Sequence, residues 1–172
     1  MPTLNWSNDM ALDVPLMDDD HQAIVQLLAA AEAANNTALI PAWQRLVEYT
    51  AKHFAMEDQW MADTGFASDN CHSSQHKIVL DIMKEGAVKG ALGDLGMVRQ
   101  MTRELAGWLP MHVDAMDSVL VNHLRSVGYD PVTRTVNTPT AMPTQQLHSC
   151  GSDNACAPAS ADKAHTTAET TG

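Results

Sequence analysis

The sequence predicts an all-α fold, an up-down-up-down four-helix bundle with an N-terminal arm and a disordered C-terminal tail. Three observations predict it. Helix-forming Ala, Leu, Met, Gln and Glu are plentiful, whereas aromatics are few (Trp 4, Tyr 2, Phe 2) and β-branched residues do not gather in runs. Apolar residues recur at spacings of three and four along four separate stretches. Short connections join these stretches, which makes consecutive helices antiparallel neighbours.

Residues 1–17 read as an irregular arm whose Trp6, Leu12, Val14, Leu16 and Met17 can lie against a core, with Pro15 speaking against helix there. Asp18-Asp19-Asp20 offers an N-cap and negative charge at the start of a first helix over 19–34, with the stripe His21, Ile24, Val25, Leu28 and Ala31. Asn35-Asn36 ends it, and Pro41 falls in the first turn of a second helix over 41–63. That helix carries Trp43, Leu46, Val47, Thr50, His53, Phe54, Glu57, Trp60 and Met61. Thr64-Gly65-Phe66 closes it. Ser68-Asp69-Asn70 opens a third helix over 69–89 with His72, His76, Val79, Leu80, Met83 and Ala87, which Gly86 and Gly90 should fray and stop. The fourth runs from Gly93-Asp94 to Ser126 with Leu95, Val98, Met101, Leu105, Trp108, His112, Met116, Val119 and His123 on its stripe. Pro110 predicts a kink inside it, and Gly128 a stop after it. The bundle therefore occupies residues 1–128. The remainder, 129–172, is rich in Thr, Ala and Pro, and from Pro131 onward has no Ile, Phe, Trp or Tyr. Such a segment buries too little apolar area to offset its ordering entropy.

Composition excludes several classes of function. The net charge of −11 argues against nucleic acid or an anionic membrane surface as partner. No apolar run of roughly 18 residues is present to span a membrane. The N-terminus has neither a basic start nor an apolar secretory region, so a cytoplasmic location is expected. Three cysteines make an odd number and argue against a disulfide framework. Cys71 reads as a small packed residue, and Cys150 and Cys156 lie in the tail beside His148.

The informative residues are polar ones on apolar stripes. These are His21 on the first helix, His53 and Glu57 on the second, His72 and His76 on the third, and His112 with Asp117 on the fourth. A single inward His is usually a hydrogen-bonded core residue, and one HxxxE or HxxxH pair arises by chance on many helices. Seven such groups converging from four helices are different, because each unpaired buried polar group costs about 1–3 kcal/mol and a carboxylate more. A metal removes that cost. Seven ligands without Cys are too many for one ion and suit two, and two carboxylates can each bridge a pair of ions. Iron fits this donor set best.

In these motifs the chain resembles the hemerythrins, in particular the single-domain bacterial type (bacteriohemerythrins). The matching pattern is a lone His21, His53-Phe-Ala-Met-Glu57, His72-Ser-Ser-Gln-His76 and His112-Val-Asp-Ala-Met-Asp117, and the likeness covers about residues 4–128. The resemblance implies two non-haem iron ions. One is held by His72, His76 and His112 and the other by His21 and His53. Glu57 and Asp117 bridge them, with an oxo or hydroxo group as third bridge. The second iron is then one ligand short, and dioxygen binds there in the family. A His-rich shell favours reversible binding, whereas ferritin-like di-iron enzymes use four carboxylates and two His.

Such a site needs a dry apolar cap. Leu28, Phe54, Trp108 and Leu109 are its expected residues, with Trp60 a further candidate. Pro110, two residues before His112, removes a backbone hydrogen bond beside a ligand. Five steps of roughly 100° put His112 and Asp117 about 140° apart on a regular helix, so either they straddle the axis or a π-type adjustment is needed. His123 reads as a surface or second-layer residue, not a ligand. The expected function is reversible oxygen binding for storage, delivery or buffering, without enzymatic turnover. The alternatives are oxygen sensing, with a protein partner reached through the tail, and di-iron peroxide, nitric oxide or iron-repair chemistry.

Overall fold

A computed structural model describes residues 4–149. Four long antiparallel segments form the bundle: α1 (Pro15–Ala33), α2 (Leu39–Asp63), α3 (Cys71–Ala91), and a fourth made of α4 (Leu95–His112), a π-helical segment (Val113–Asp117) and α5 (Ser118–Ser126). Helix α1 packs on α2 and α4, α2 on α3, and α3 on α4, which closes the bundle in cyclic order. No helix among the described residues is long and apolar enough to cross a membrane.

Two apolar clusters fill the interior. One gathers Ile24, Leu28, Leu46, Trp43, Met83, Val98 and Leu109. The other gathers Met17, Trp60, Met61, Phe66, Leu120, Val121 and Leu124. The seven polar residues singled out above lie between them along the helices, so two dry layers enclose one polar layer.

Several boundaries differ from the sequence expectation. Pro15 begins α1 instead of blocking it, because a first-turn residue has no helical acceptor for its missing N–H. Asp18 is not the cap; its Oδ1 accepts from Leu12 N at 2.8 Å and ties the arm to the helix. Gly86 and Gly90 do not end α3. A Cβ at Gly86 would meet Met101 and Trp43, and one at Gly90 would meet Ile40 and Val98, so these positions let α3 approach its neighbours closely. Gly128 does follow the last helix with φ +61, as the stop signal requires.

The tail divides at residue 150. Residues 150–172 lie outside the described residues. Residues 129–149 return along the bundle. Tyr129–Asp130 pairs with Thr135–Val136 in a short antiparallel hairpin. Leu147 N donates to Gly65 O at 3.0 Å, Ala67 N to Leu147 O at 2.9 Å and Cys71 N to His148 O at 2.8 Å. Met142 and Leu147 pack against the second apolar cluster. Cys71, expected to be a simple packed residue, is disulfide-bonded. Cys150 and Cys156 fall outside the described residues. Local composition did not show this return, because what orders the segment is backbone pairing and apolar contact with the α2–α3 turn, both supplied by the bundle.

A clasp fastens the hairpin. Arg134 donates from Nε and Nη2 to the two Asp63 oxygens, each at 2.8 Å, and Tyr129 Oη donates to Asp63 Oδ2 at 2.6 Å. These donors, Arg134 foremost, hold the Asp63 carboxyl down at about 2. Because the folded value lies below the unfolded one, the clasp stabilises the fold fully above about pH 4 and is lost as pH falls through about 2. Arg134→Ala is expected to move the Asp63 titration midpoint, followed by NMR, up toward the ordinary carboxylate range.

Candidate metal centre

All seven predicted residues meet in the polar layer. His21, His53, Glu57, His72, His76, His112 and Asp117 are each at most 3% exposed. Helical spacing aligns His53 with Glu57 on α2 and His72 with His76 on α3. The π-helical segment over Val113–Asp117 brings Asp117 to the same side as His112, because an i→i+5 turn stacks residues five apart. Pro110 sits inside α4 just before it. Asn70 caps α3 by accepting from His72 N at 2.9 Å and Ser73 N at 3.0 Å, which fixes the backbone on which His72 is mounted.

The donor atoms fall into two overlapping groups, each able to hold a metal ion. One contains Glu57, His72, His76, His112 and Asp117; the other contains His21, His53 and Glu57. Each carboxylate divides its oxygens. Glu57 Oε1 faces His53 Nε2 at 3.2 Å, while Oε2 faces His72 Nε2 at 3.4 Å and His76 Nε2 at 3.3 Å. Asp117 Oδ2 faces His21 Nε2 at 3.2 Å, while Oδ1 faces His72 at 3.0 Å and His112 at 3.2 Å.

These are not good hydrogen bonds. Both oxygens of Glu57, both of Asp117 and both ring nitrogens of His21 are buried without a hydrogen-bond partner among the described residues. Tautomers make the point sharper. His76 Nδ1 lies 2.9 Å from Asp58 Oδ1, and a carboxylate can only accept, so in the neutral ring that nitrogen carries the proton and Nε2 a lone pair. His112 Nδ1 likewise faces Gln75 Oε1 at 3.4 Å. The two bare Nε2 atoms then stand 3.2 Å apart, lone pair to lone pair. A metal cation between them makes that arrangement favourable. The donor set fits metal.

The ionisation of both carboxylates and of His112 agrees with ligation. Burial and Asp117 push the Glu57 carboxyl up, but His53, His72 and His76 outweigh them and hold it below its usual range. Burial raises Asp117 too, and the neighbouring imidazoles of His112, His21 and His72 more than reverse it. Burial lowers His112 despite Asp117, which leaves its lone pair available. Burial also lowers His53, but the surrounding Glu57, Asp20 and Asp117 carboxylates raise it overall.

Sequence reasoning missed the groups behind the candidate metal donors. Asp58 holds His76. Asp20 Oδ2 lies 3.4 Å from His53 Nδ1, an electrostatic contact outside good hydrogen-bond geometry, and its Oδ1 accepts from Tyr49 Oη at 2.7 Å. The available signal was Asp20 and Asp58 directly beside His21 and Glu57 in the sequence. Asp58→Asn is expected to weaken metal binding about 10–100-fold, the usual cost of losing such a partner. Competition with a chelator would measure it, with exposed Asp81→Asn as control.

The expected cap residues Leu28, Phe54, Trp108 and Leu109 line one cavity of about 10 Å³, together with Ile24, Leu46, Thr50, Met83 and Leu105. Phe54 stacks on His76 with centroids 4.0 Å apart. Trp60 does not join them; it is buried in the second cluster, on the opposite side of the polar layer. His123 is no part of the centre; its Nε2 lies 2.9 Å from Thr64 O.

The chain is similar to several known proteins. A bacteriohemerythrin of Ralstonia nicotianae is 32% identical over 130 residues, covering 76% of this chain and 95% of that protein. One of Pseudomonas paraeruginosa is 27% identical over 130 residues, with 73% and 84% covered. One of Methylococcus capsulatus is 22% identical over 124 residues, with 69% and 95% covered. The family model for the hemerythrin HHE cation binding domain matches residues 12–124, a span that contains every residue of the polar layer. A buried polar layer in need of cations and a match across most of the bundle lead to one conclusion: the chain belongs to the hemerythrin family of HHE cation-binding domains.

Proposed function

We propose that this chain binds dioxygen reversibly at a non-haem di-iron centre and acts as an oxygen-binding protein in the cytoplasm, not as an enzyme. The carrying observation is the division of each carboxylate between two sets of imidazoles. In this reading His72, His76 and His112 would hold one iron and His21 and His53 the other, with Glu57 and Asp117 shared between them. When bound, the iron pair supplies the electrons and the coordination position needed to capture and release dioxygen. The group with His21 and His53 would offer fewer side-chain donors than the other, which would leave a position there for a guest.

The residues around it select the outcome. Ile24 lies three residues after His21, Thr50 three before His53 and Leu109 three before His112, so the apolar cavity is the layer next to the open position. Leu28, Phe54, Trp108 and Leu109 exclude water there and slow proton delivery, which favours release of intact dioxygen. Asp20 and Asp58 keep His53 and His76 oriented.

Anaerobic reduction of the iron-reconstituted chain, followed by oxygen and then its removal, tests the reading. A charge-transfer spectrum that appears and disappears repeatedly, with two irons per chain, is expected. Rapid turnover of peroxide or nitric oxide without a long-lived oxygen complex would overturn it in favour of di-iron enzymology.

A further inference from the structure

One polar side chain in the cavity has no structural task. Thr50 lies on α2, is 4% exposed, and lines the space formed by Leu28, Phe54, Trp108 and Leu109. Its hydroxyl has no hydrogen-bond partner among the described residues. A helical threonine ordinarily donates to the carbonyl four residues back. Thr102 does so in this bundle, to Val98 O at 2.8 Å, but Thr50 does not. Water is a poor remedy. A retained water needs two to four polar partners, and the other side chains lining the space are apolar save for the Trp108 indole N–H. Valine has the same shape and would carry no unpaired hydroxyl. A residue that lowers stability without an internal bond marks a site where a polar guest is expected.

We propose that Thr50 is a specificity-determining residue: its hydroxyl donates a hydrogen bond to a small guest with an accepting oxygen or nitrogen end, dioxygen or azide in class, bound at the open position that this cavity borders. The proposal rests on the oxygen-binding reading above. Thr50 is three residues before His53 and four before Phe54, so it shares their helix face and borders the open position from α2. Apolar walls admit any diatomic gas. A single donor discriminates among them by favouring guests that accumulate negative charge, and a dry surrounding strengthens that bond.

The test uses Thr50→Val and Thr50→Ser in the full chain, with azide as probe of the oxidised, iron-loaded protein. Thr50→Val is expected to bind azide about tenfold more weakly, the usual worth of a hydrogen bond to a charged acceptor. Thr50→Ser, which keeps the hydroxyl, should stay within about twofold of the native chain. A second readout needs no iron. The metal-free Thr50→Val protein is expected to melt a few degrees higher than the native one, because an unpaired buried hydroxyl has been removed. A lower melting point for metal-free Thr50→Val would assign the hydroxyl to the fold and overturn the proposal, as would equal azide affinity in both proteins. Failure of the iron-loaded native chain to bind azide at all would instead overturn the oxygen-binding reading itself.

Discussion

Replacing Glu57 with Ala is expected to leave the chain with no more than one tightly held metal ion. Glu57 contributes to both groups of donors, through Oε1 beside His53 and Oε2 beside His72 and His76. Its removal leaves the second group with two imidazoles and one Asp117 oxygen. It also removes one of the two negative charges that face the cations in a fully buried layer. Unpairing a buried charge costs about 3–5 kcal/mol, or two to three and a half powers of ten in affinity. The His72, His76, His112 and Asp117 set should still hold one ion, more weakly than before. Glu57→Gln, which keeps an oxygen but not the charge, should fall between. Elemental analysis after reconstitution and gel filtration gives the answer directly. Two metals per chain in Glu57→Ala would mean that Glu57 is not a ligand.

Phe54→Ala is expected to damage stability and site together. The ring is 3% exposed, stacks on His76 at 4.0 Å with planes 6° apart, and meets Trp108 edge-on at 6.3 Å. Truncating a buried Phe costs about 3–5 kcal/mol, which for a chain of this size lowers the melting point by about 10 °C. The space released joins the cavity beside the open position. The iron-loaded variant should therefore lose bound oxygen and oxidise faster than the native chain. Leu120→Ala is the control, because Leu120 is fully buried in the other cluster. It should lose comparable stability yet keep oxygen as long as the native protein does. Equal oxygen lifetimes in Phe54→Ala and the native chain would show that Phe54 only fills space.

Much of the molecule was legible in the sequence because helix periodicity is a local property. A residue's face is set by its spacing from neighbours three and four away, so the stripes and the four long segments could be read directly. The same spacing announced the centre: His53 with Glu57, and His72 with His76, each share a face on any α-helix. Polar residues on apolar stripes required an explanation that local structure could not give. Even the π-helical segment was foreshadowed, since His112 and Asp117 lie too far apart in angle for a regular helix.

What the sequence by itself determined was therefore the bundle, the identity of its inward polar residues and the need for a cation among them. The tertiary structure decided which atoms face which. It divided the Glu57 and Asp117 oxygens between two groups of imidazoles, set Asp58 and Asp20 behind the ligands, and gathered Leu28, Phe54, Trp108 and Leu109 around one cavity while placing Trp60 elsewhere. It also laid residues 129–149 against the α2–α3 turn and engaged Cys71 in a disulfide. The physical reason is the same in each case. A helix face can be read from spacing, but a partner on another helix depends on the crossing of the two, and a weakly apolar segment is ordered only by a surface it does not itself encode.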